Sequence, residues 1–165
     1  MVPLVILGSA RADGETKRAV DIAFADKAEL IVLPEHPIGG YDYSHSNDRD
    51  AFRTVTERML AHDKLIFATP VYWYAMSAPL KIFFDRLTDL LETAKADGRA
   101  LKGKQVWMIA TGVEPVLPEG FEVPFRRTAE YFAMAYRGSA YLYTGEDKAL
   151  RAASEAGLAA FGATI

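Results

Sequence analysis

Two short stretches of the chain carry residue types at spacings that chemistry could use. In Thr69-Pro70-Val71-Tyr72-Trp73-Tyr74-Ala75-Met76-Ser77-Ala78-Pro79-Leu80-Lys81, three consecutive aromatic residues follow an apolar run, Leu65-Ile66-Phe67-Ala68, and precede a strongly amphipathic one. Aromatic rings at the carboxyl end of a buried strand are costly to leave in water unless something flat covers them. A helix that opens at once offers backbone N–H groups to an electron-rich ligand edge. The combination suits a flat, polar-rimmed heterocycle, and a flavin fits best. Successive residues cannot all face one way, so at least one of the rings is expected to pack on protein, in the core or at a subunit contact.

The second stretch lies at the amino end. Val2-Pro3-Leu4-Val5-Ile6-Leu7 is a short apolar run of the kind that makes a strand buried on both faces. It breaks into Gly8-Ser9-Ala10-Arg11-Ala12-Asp13-Gly14-Glu15-Thr16-Lys17, and a helical pattern follows. A strand, a glycine-containing loop and a helix N-terminus make a phosphate cradle, because unpaired N–H groups point outward, the macrodipole favours an anion and glycine lets the backbone come close. Ser9 and Thr16 add hydroxyl donors, and Arg11 adds a forked cation suited to phosphate oxygens. The spacing is not that of a P-loop: one extra residue separates Gly8 from Gly14, and Glu15 replaces the lysine. No G-x-G-x-x-G fingerprint is present either, so the loop reads as a monophosphate site rather than a pyrophosphate site.

For a chain of 165 residues with 50% hydrophobic and 25% charged side chains, one globular domain, residues 1–165, is the simplest expectation. A net charge of −3 gives no broad basic surface for nucleic acid. The absence of cysteine removes disulfides, thiolate zinc sites, cysteine-ligated iron–sulfur clusters and thiol nucleophiles together. His36, His45 and His62 lack ligand spacing, and no G-x-S-x-G elbow supports a hydrolase. With no apolar run long enough for a bilayer and no cleavable leader pattern, a cytoplasmic protein with no membrane partner is the default expectation.

The pattern then alternates between apolar runs and helical spacing. Ala19, Val20, Ala23 and Phe24 lie at helical spacing, Leu30–Leu33 reads as a second strand stopped by Pro34, and Glu35–Asn47 reads as a long loop. Asn47 or Asp48 is expected to cap a helix bearing Phe52, Val55, Met59 and Leu60. Lys64–Thr69 is a third strand, and Leu80, Phe83, Phe84, Leu87, Leu90 and Leu91 predict one continuous helix, with Asp97-Gly98 as a turn beyond it. A fourth strand, Val106–Ala110, leads into a loop containing Thr111 and Gly112; a helix around Phe121–Arg137, a strand at Ala140–Tyr143 and a helix carrying Leu150, Ala153, Leu158 and Phe161 complete the pattern. Strands alternating with helices imply a parallel sheet with helices on both faces, whose ligands bind outside the carboxyl ends of the strands. The loops after the first, third and fourth strands would then meet on one edge.

With these residues in view, the chain resembles the NAD(P)H-dependent FMN reductase family of flavodoxin-like flavoproteins. Gly8 to Thr16 resembles that family's G-S-x-R-x-x-G-x-T phosphate loop, while Thr69-Pro70-Val71-Tyr72-Trp73 with Met76-Ser77-Ala78 and the helix from Leu80-Lys81 to Asp85-Arg86 resembles its T-P-x-Y motif. The resemblance implies a three-layer α/β domain with a five-stranded parallel sheet in the order 2-1-3-4-5. It implies that Ser9, Arg11 and Thr16 hold the FMN phosphate, that Pro70, Val71, Tyr72 and Trp73 frame the isoalloxazine, and that Thr111 and Gly112 close its other side. Glu15 falls within the same cofactor loop, where many relatives carry Asn or another small residue; its carboxylate must point away or pair with a cation such as Lys17 or Arg18.

The activity implied is transfer of hydride from NADPH or NADH to FMN, and on to a quinone, azo compound, metal ion or similar small-molecule acceptor, by a homodimer or homotetramer. The cofactor carries the chemistry, so no protein catalytic acid or base is required. N–H groups of the loop after the third strand are expected near the flavin edge. Two other readings share the fold: a flavodoxin-type electron carrier without a nicotinamide site, and a flavodoxin-like interaction protein without FMN.

Overall fold

In the computed structural model, which describes residues 1–165, the apolar runs are strands and the amphipathic segments between them are helices. In chain order these are β1 (Leu4–Leu7), α1 (Glu15–Phe24), β2 (Glu29–Val32), α2 (Phe52–Leu60), β3 (Lys64–Pro70), α3 (Ala78–Arg86), α4 (Asp89–Glu92), α5 (Lys95–Ala100), β4 (Gln105–Gly112), α6 (Val123–Tyr131), β5 (Ala135–Tyr143) and α7 (Lys148–Gly162). All five strands are parallel, in the expected order β2-β1-β3-β4-β5.

The alternation of side chains along each strand divides the interior into two apolar layers. Leu4 and Ile6 of β1, with Leu65 and Phe67 of β3, pack with α2, α3 and α6 through Phe52, Val55, Leu80, Phe83 and Phe125. Val5, Leu7, Ile66 and Ala68 point the other way, onto Val20 and Phe24 of α1 and Leu158 of α7. Each fully buried Leu, Ile or Phe contributes roughly 1.5–3 kcal/mol, so the central strands hold the carboxyl edge of the sheet rigidly. No helix is long and apolar enough to cross a membrane.

Several boundaries differ from those the sequence predicts. The helix expected to run through Leu91 ends at Arg86, where the N–H groups of Leu87 and Thr88 bond to Phe84 O and Asp85 O in the tighter i−3 pattern before α4 begins. Asp97 and Gly98 lie inside α5 rather than in a turn; a Cβ on Gly98 would stand 2.3 Å from Leu90 O, so the glycine permits α5 to close onto α4. Neither Asn47 nor Asp48 caps α2: Phe52 N–H donates instead to Asp50 Oδ1, at 2.8 Å. Helix α6 stops at Tyr131, because Ala133 turns the chain at φ 54°, and β5 therefore starts at Ala135 rather than Ala140. Strand β4 continues through Thr111 and Gly112, which are strand residues and not a loop.

Candidate cofactor site

The parallel sheet brings the segments after β1, β3 and β4 to one edge, and hydrogen bonds then join them. Gly8 N–H donates to Ala68 O at 2.8 Å, carrying the β1–β3 pairing one residue past β1. A Cβ on Gly8 would lie 2.6 Å from Leu80 Cβ and 3.0 Å from Ser77 Oγ, so the first loop rests directly on the start of α3. Ser77 occupies the N-cap position of α3, yet its hydroxyl donates to Gly8 O instead of capping the helix. Its backbone N–H donates to Thr69 Oγ1 at 3.0 Å. Thr69 and Ser77 thus clamp the first loop, the end of β3 and the start of α3 together.

The first loop leaves donors open. Gly14 is the N-cap of α1 and supplies no side-chain acceptor, and the N–H groups of Glu15, Thr16 and Lys17 meet no protein acceptor in hydrogen-bonding geometry. Ser9, only 4% exposed, accepts from Arg11 N–H at 3.2 Å and has no other protein hydrogen bond. That leaves the hydroxyl proton to donate. A buried donor beside a row of free N–H groups at the positive end of a helix fits a phosphate. Arg11 lies out in solvent, 3.6 Å from Asp13, in an exposed pair that costs little to break.

The remaining wall is made by β4. Thr16 and Thr111 share a buried hydroxyl–hydroxyl hydrogen bond of 2.9 Å, and Val71 N–H donates to Thr111 O at 2.8 Å. Gly112 lies against Val71 and Tyr141, since a Cβ there would stand 3.3 Å from Val71 Cβ and 2.7 Å from the Tyr141 hydroxyl. Burial pushes the Tyr141 hydroxyl up to about 12, so it stays protonated and donates to Glu114 O at 3.0 Å, fixing the segment after β4.

The aromatic stretch forms a two-residue hairpin. Tyr72 and Ala75 exchange both backbone hydrogen bonds at 3.0 Å, and Trp73 and Tyr74 sit at φ 48° and 63°, the left-handed turn form usually given to Asn and Gly. Trp73 is 93% exposed at the tip, flanked by the exposed rings of Tyr72 and Tyr74, while Pro70 is buried and Val71 half-buried. No ring of the three packs in the core, one of the two places where at least one was expected to rest on protein. The N–H groups of Val71, Tyr72, Ala75 and Ser77 are all taken internally, leaving those of Trp73, Tyr74 and Met76 as the open donors of this segment.

Glu15 turns away from the open N–H groups. Its Oε1 meets Arg151 of α7 at 2.5 Å, and its Oε2 meets Arg18 at 3.4 Å. Arg18 in turn binds Glu155 at 2.5 Å; that bond raises the Arg18 guanidinium and lowers the Glu155 carboxyl from their ordinary values. Lys17, the other cation expected to neutralise Glu15, is engaged with Asp21.

Ser9, Thr16, Pro70, Val71, Thr111 and Gly112 are therefore brought together, whereas Arg11 and Trp73 reach into solvent and the Glu15 side chain faces α7. Sequence reasoning missed Thr69 and Ser77 as clamps, although both stood within the quoted motif. It missed Tyr141 and Arg151 because nothing local marks them; Arg151 lies 136 residues from its partner.

A family model described as NADPH-dependent FMN reductase matches residues 1–123. The YwqN protein of Bacillus subtilis (strain 168), provisionally named an NAD(P)H-dependent FMN-containing oxidoreductase, is 30% identical over 145 residues, covering 81% of this chain and 80% of its own. Among solved structures, the Trp repressor binding protein of Bacillus subtilis superposes with a TM-score of 0.76 at 23% identity, over 95% of this chain and 98% of that one. General stress protein 14 of Treponema denticola, solved in complex with FMN, gives a TM-score of 0.71 at 20% identity and covers 99% of both chains. At these identities the two structures speak for the shared flavodoxin-like fold.

Proposed function

The chain belongs to the NADPH-dependent FMN reductase family and is an NAD(P)H-dependent flavin oxidoreductase, and from that premise we propose which of its residues hold FMN and what class of acceptor it serves. Ser9, Arg11 and Thr16, with the open N–H groups at the start of α1, bind the phosphate. Glu15 contributes its backbone N–H rather than its carboxylate. Pro70, Val71, Tyr72 and Trp73 frame the ring system, and Thr111 and Gly112 bound its other side. The observation that carries this reading is the clamp at Gly8, Thr69 and Ser77, which fixes an anion cradle and an aromatic hairpin to the same sheet edge.

Bound FMN supplies the redox chemistry, accepting hydride from NAD(P)H and passing electrons to an acceptor. The residues around it bind, orient and exclude water. The N–H groups of Trp73, Tyr74 and Met76 are the donors that remain to favour negative charge on a neighbouring ring edge. The exposed rings of Tyr72, Trp73 and Tyr74 support a flat aromatic acceptor, a quinone or an azo compound, ahead of a metal ion. The exposed apolar side chains Leu91, Val123 and Tyr131 support assembly as a homodimer or homotetramer.

The purified protein is expected to be yellow with flavin absorption bands, and stopped-flow mixing with NADH or NADPH is expected to bleach them. A colourless protein that FMN cannot reconstitute would overturn the site, and a yellow protein that neither nucleotide bleaches would overturn the reductase reading. Arg11→Ala combined with Thr16→Ala is expected to weaken FMN binding about tenfold, through loss of charge-assisted phosphate contacts. Unchanged affinity in a fluorescence titration would remove both residues from the phosphate site.

A further inference from the structure

Glu15 places a carboxylate on the first residue of α1, beside the N–H groups of Glu15, Thr16 and Lys17 that meet no protein acceptor. A carboxylate there suits the helix dipole but competes with any other anion at the same end. Ser9, 4% exposed and with only Arg11 N–H as a partner, shows that the loop keeps a buried donor for that other anion. Helix α7 resolves the competition. It packs with α1 on one face of the sheet, and Arg151 reaches Glu15 Oε1 at 2.5 Å while Arg18 meets Oε2 at 3.4 Å. Glu155 completes a closed set, 2.5 Å from Arg18 and 3.6 Å from Arg151, so two arginines offset two glutamates.

We infer that Arg151 is a positioning residue for phosphate recognition: from α7 it draws the Glu15 carboxylate off the anion cradle and cancels its charge, so that the cradle accepts the phosphate of FMN. This rests on the proposed function above. Arg151 takes the larger share because Arg18 already makes its short bond to Glu155; without Arg151, Glu15 keeps only the longer 3.4 Å contact and is free to turn toward the open N–H groups. The discrimination is between flavins with and without a phosphate, since the ring-binding hairpin lies on another segment.

The test compares FMN with riboflavin, which carries the same ring system and no phosphate, in fluorescence titrations of the full-length protein freed of flavin. Arg151→Ala is expected to weaken FMN about tenfold and leave riboflavin unchanged. Adding Glu15→Gln to Arg151→Ala is expected to restore FMN affinity to within about threefold of the original, and Arg151→Lys, which keeps the cation, to stay within the same range. Equal weakening of both flavins, or no recovery on adding Glu15→Gln, would overturn the inference. If the unaltered protein binds FMN and Arg151→Ala binds it equally well, this inference alone fails. If the unaltered protein binds neither flavin, the proposed function fails and takes the inference with it.

Discussion

Arg86→Ala is expected to cost the folded protein about 3–5 kcal/mol, the range found when one partner of a buried ion pair is removed and the other is left without compensation. Arg86 is 3% exposed, on the last turn of α3. Its guanidinium binds the carboxylates of Asp50 and Asp89 together with the carbonyls of Gly39 and Asn47, and lies 4.7 Å from the centre of the Phe52 ring. One side chain thus ties the long segment between β2 and α2 to the helix that Ser77 precedes as N-cap. Lysine cannot replace it, because a single ammonium lacks the fork needed to serve acceptors on several sides.

The same cluster sets a pH dependence. Burial pushes the Asp50 carboxyl up, but the Arg86 bond and the N–H groups of Phe52 and Gly39 outweigh it and hold the group below its ordinary value. A carboxyl depressed in the folded state adds stability above its unfolded pKa of about 3.9, and loses it as pH falls through the folded value. In Arg86→Ala only the N–H groups of Phe52 and Gly39 still oppose burial, so the Asp50 carboxyl is depressed less and the variant's deficit is expected to shrink as pH falls below about 4. Urea unfolding at neutral and acidic pH measures both effects. A deficit under about 1 kcal/mol, or one that does not change with pH, would mean that the cluster is no better than a surface pair.

Gly8→Ala is expected to produce the largest loss at the cofactor site. The new Cβ would stand 2.6 Å from Leu80 Cβ and 3.4 Å from Leu80 Cα, atoms that cannot move without the helix. Helix α3 must shift, and the Ser77 hydroxyl then loses Gly8 O, the bond that joins the first loop to the start of α3. Overpacking of this kind costs about 1–3 kcal/mol; if most of it falls on the bound state, FMN affinity drops by up to about a hundredfold. Riboflavin is expected to weaken as well, because both segments move. Binding that survives intact would show that the two segments are independent.

What the sequence made legible has a physical pattern. Leu4–Leu7, Leu65–Ala68 and Val106–Ala110 are short apolar runs because both of their faces are covered, and that continuity alone marks them as central strands. The start of β5 was invisible for the opposite reason: Ala135, Tyr136 and Arg137 lie on a partly exposed edge strand, with neither a continuous run nor clean alternation. The break after Arg86 was hidden because Leu87 and Leu90 stay buried across it, so the helical spacing of apolar residues passes through the interruption unchanged. Gly8–Thr16 and Thr69–Trp73 could be singled out as candidate segments because each is a contiguous stretch of characteristic residue types, and the fold brings both to one sheet edge. Asp50, Arg86, Tyr141 and Arg151 act through partners distant in sequence, and spacing along the chain carries no trace of such pairs.

The hairpin at Tyr72–Ala75 has a consequence for how this protein trades stability against use. A non-glycine residue in the left-handed region costs roughly 1–2 kcal/mol, and Trp73 and Tyr74 are both held there. A chain selected for stability alone would carry Asn and Gly at these two positions, where the turn would form without strain and no large ring would meet water. Each step toward that sturdier turn would remove an aromatic ring from the mouth of the proposed site, so at this point the molecule can gain thermal resistance only by surrendering contact area.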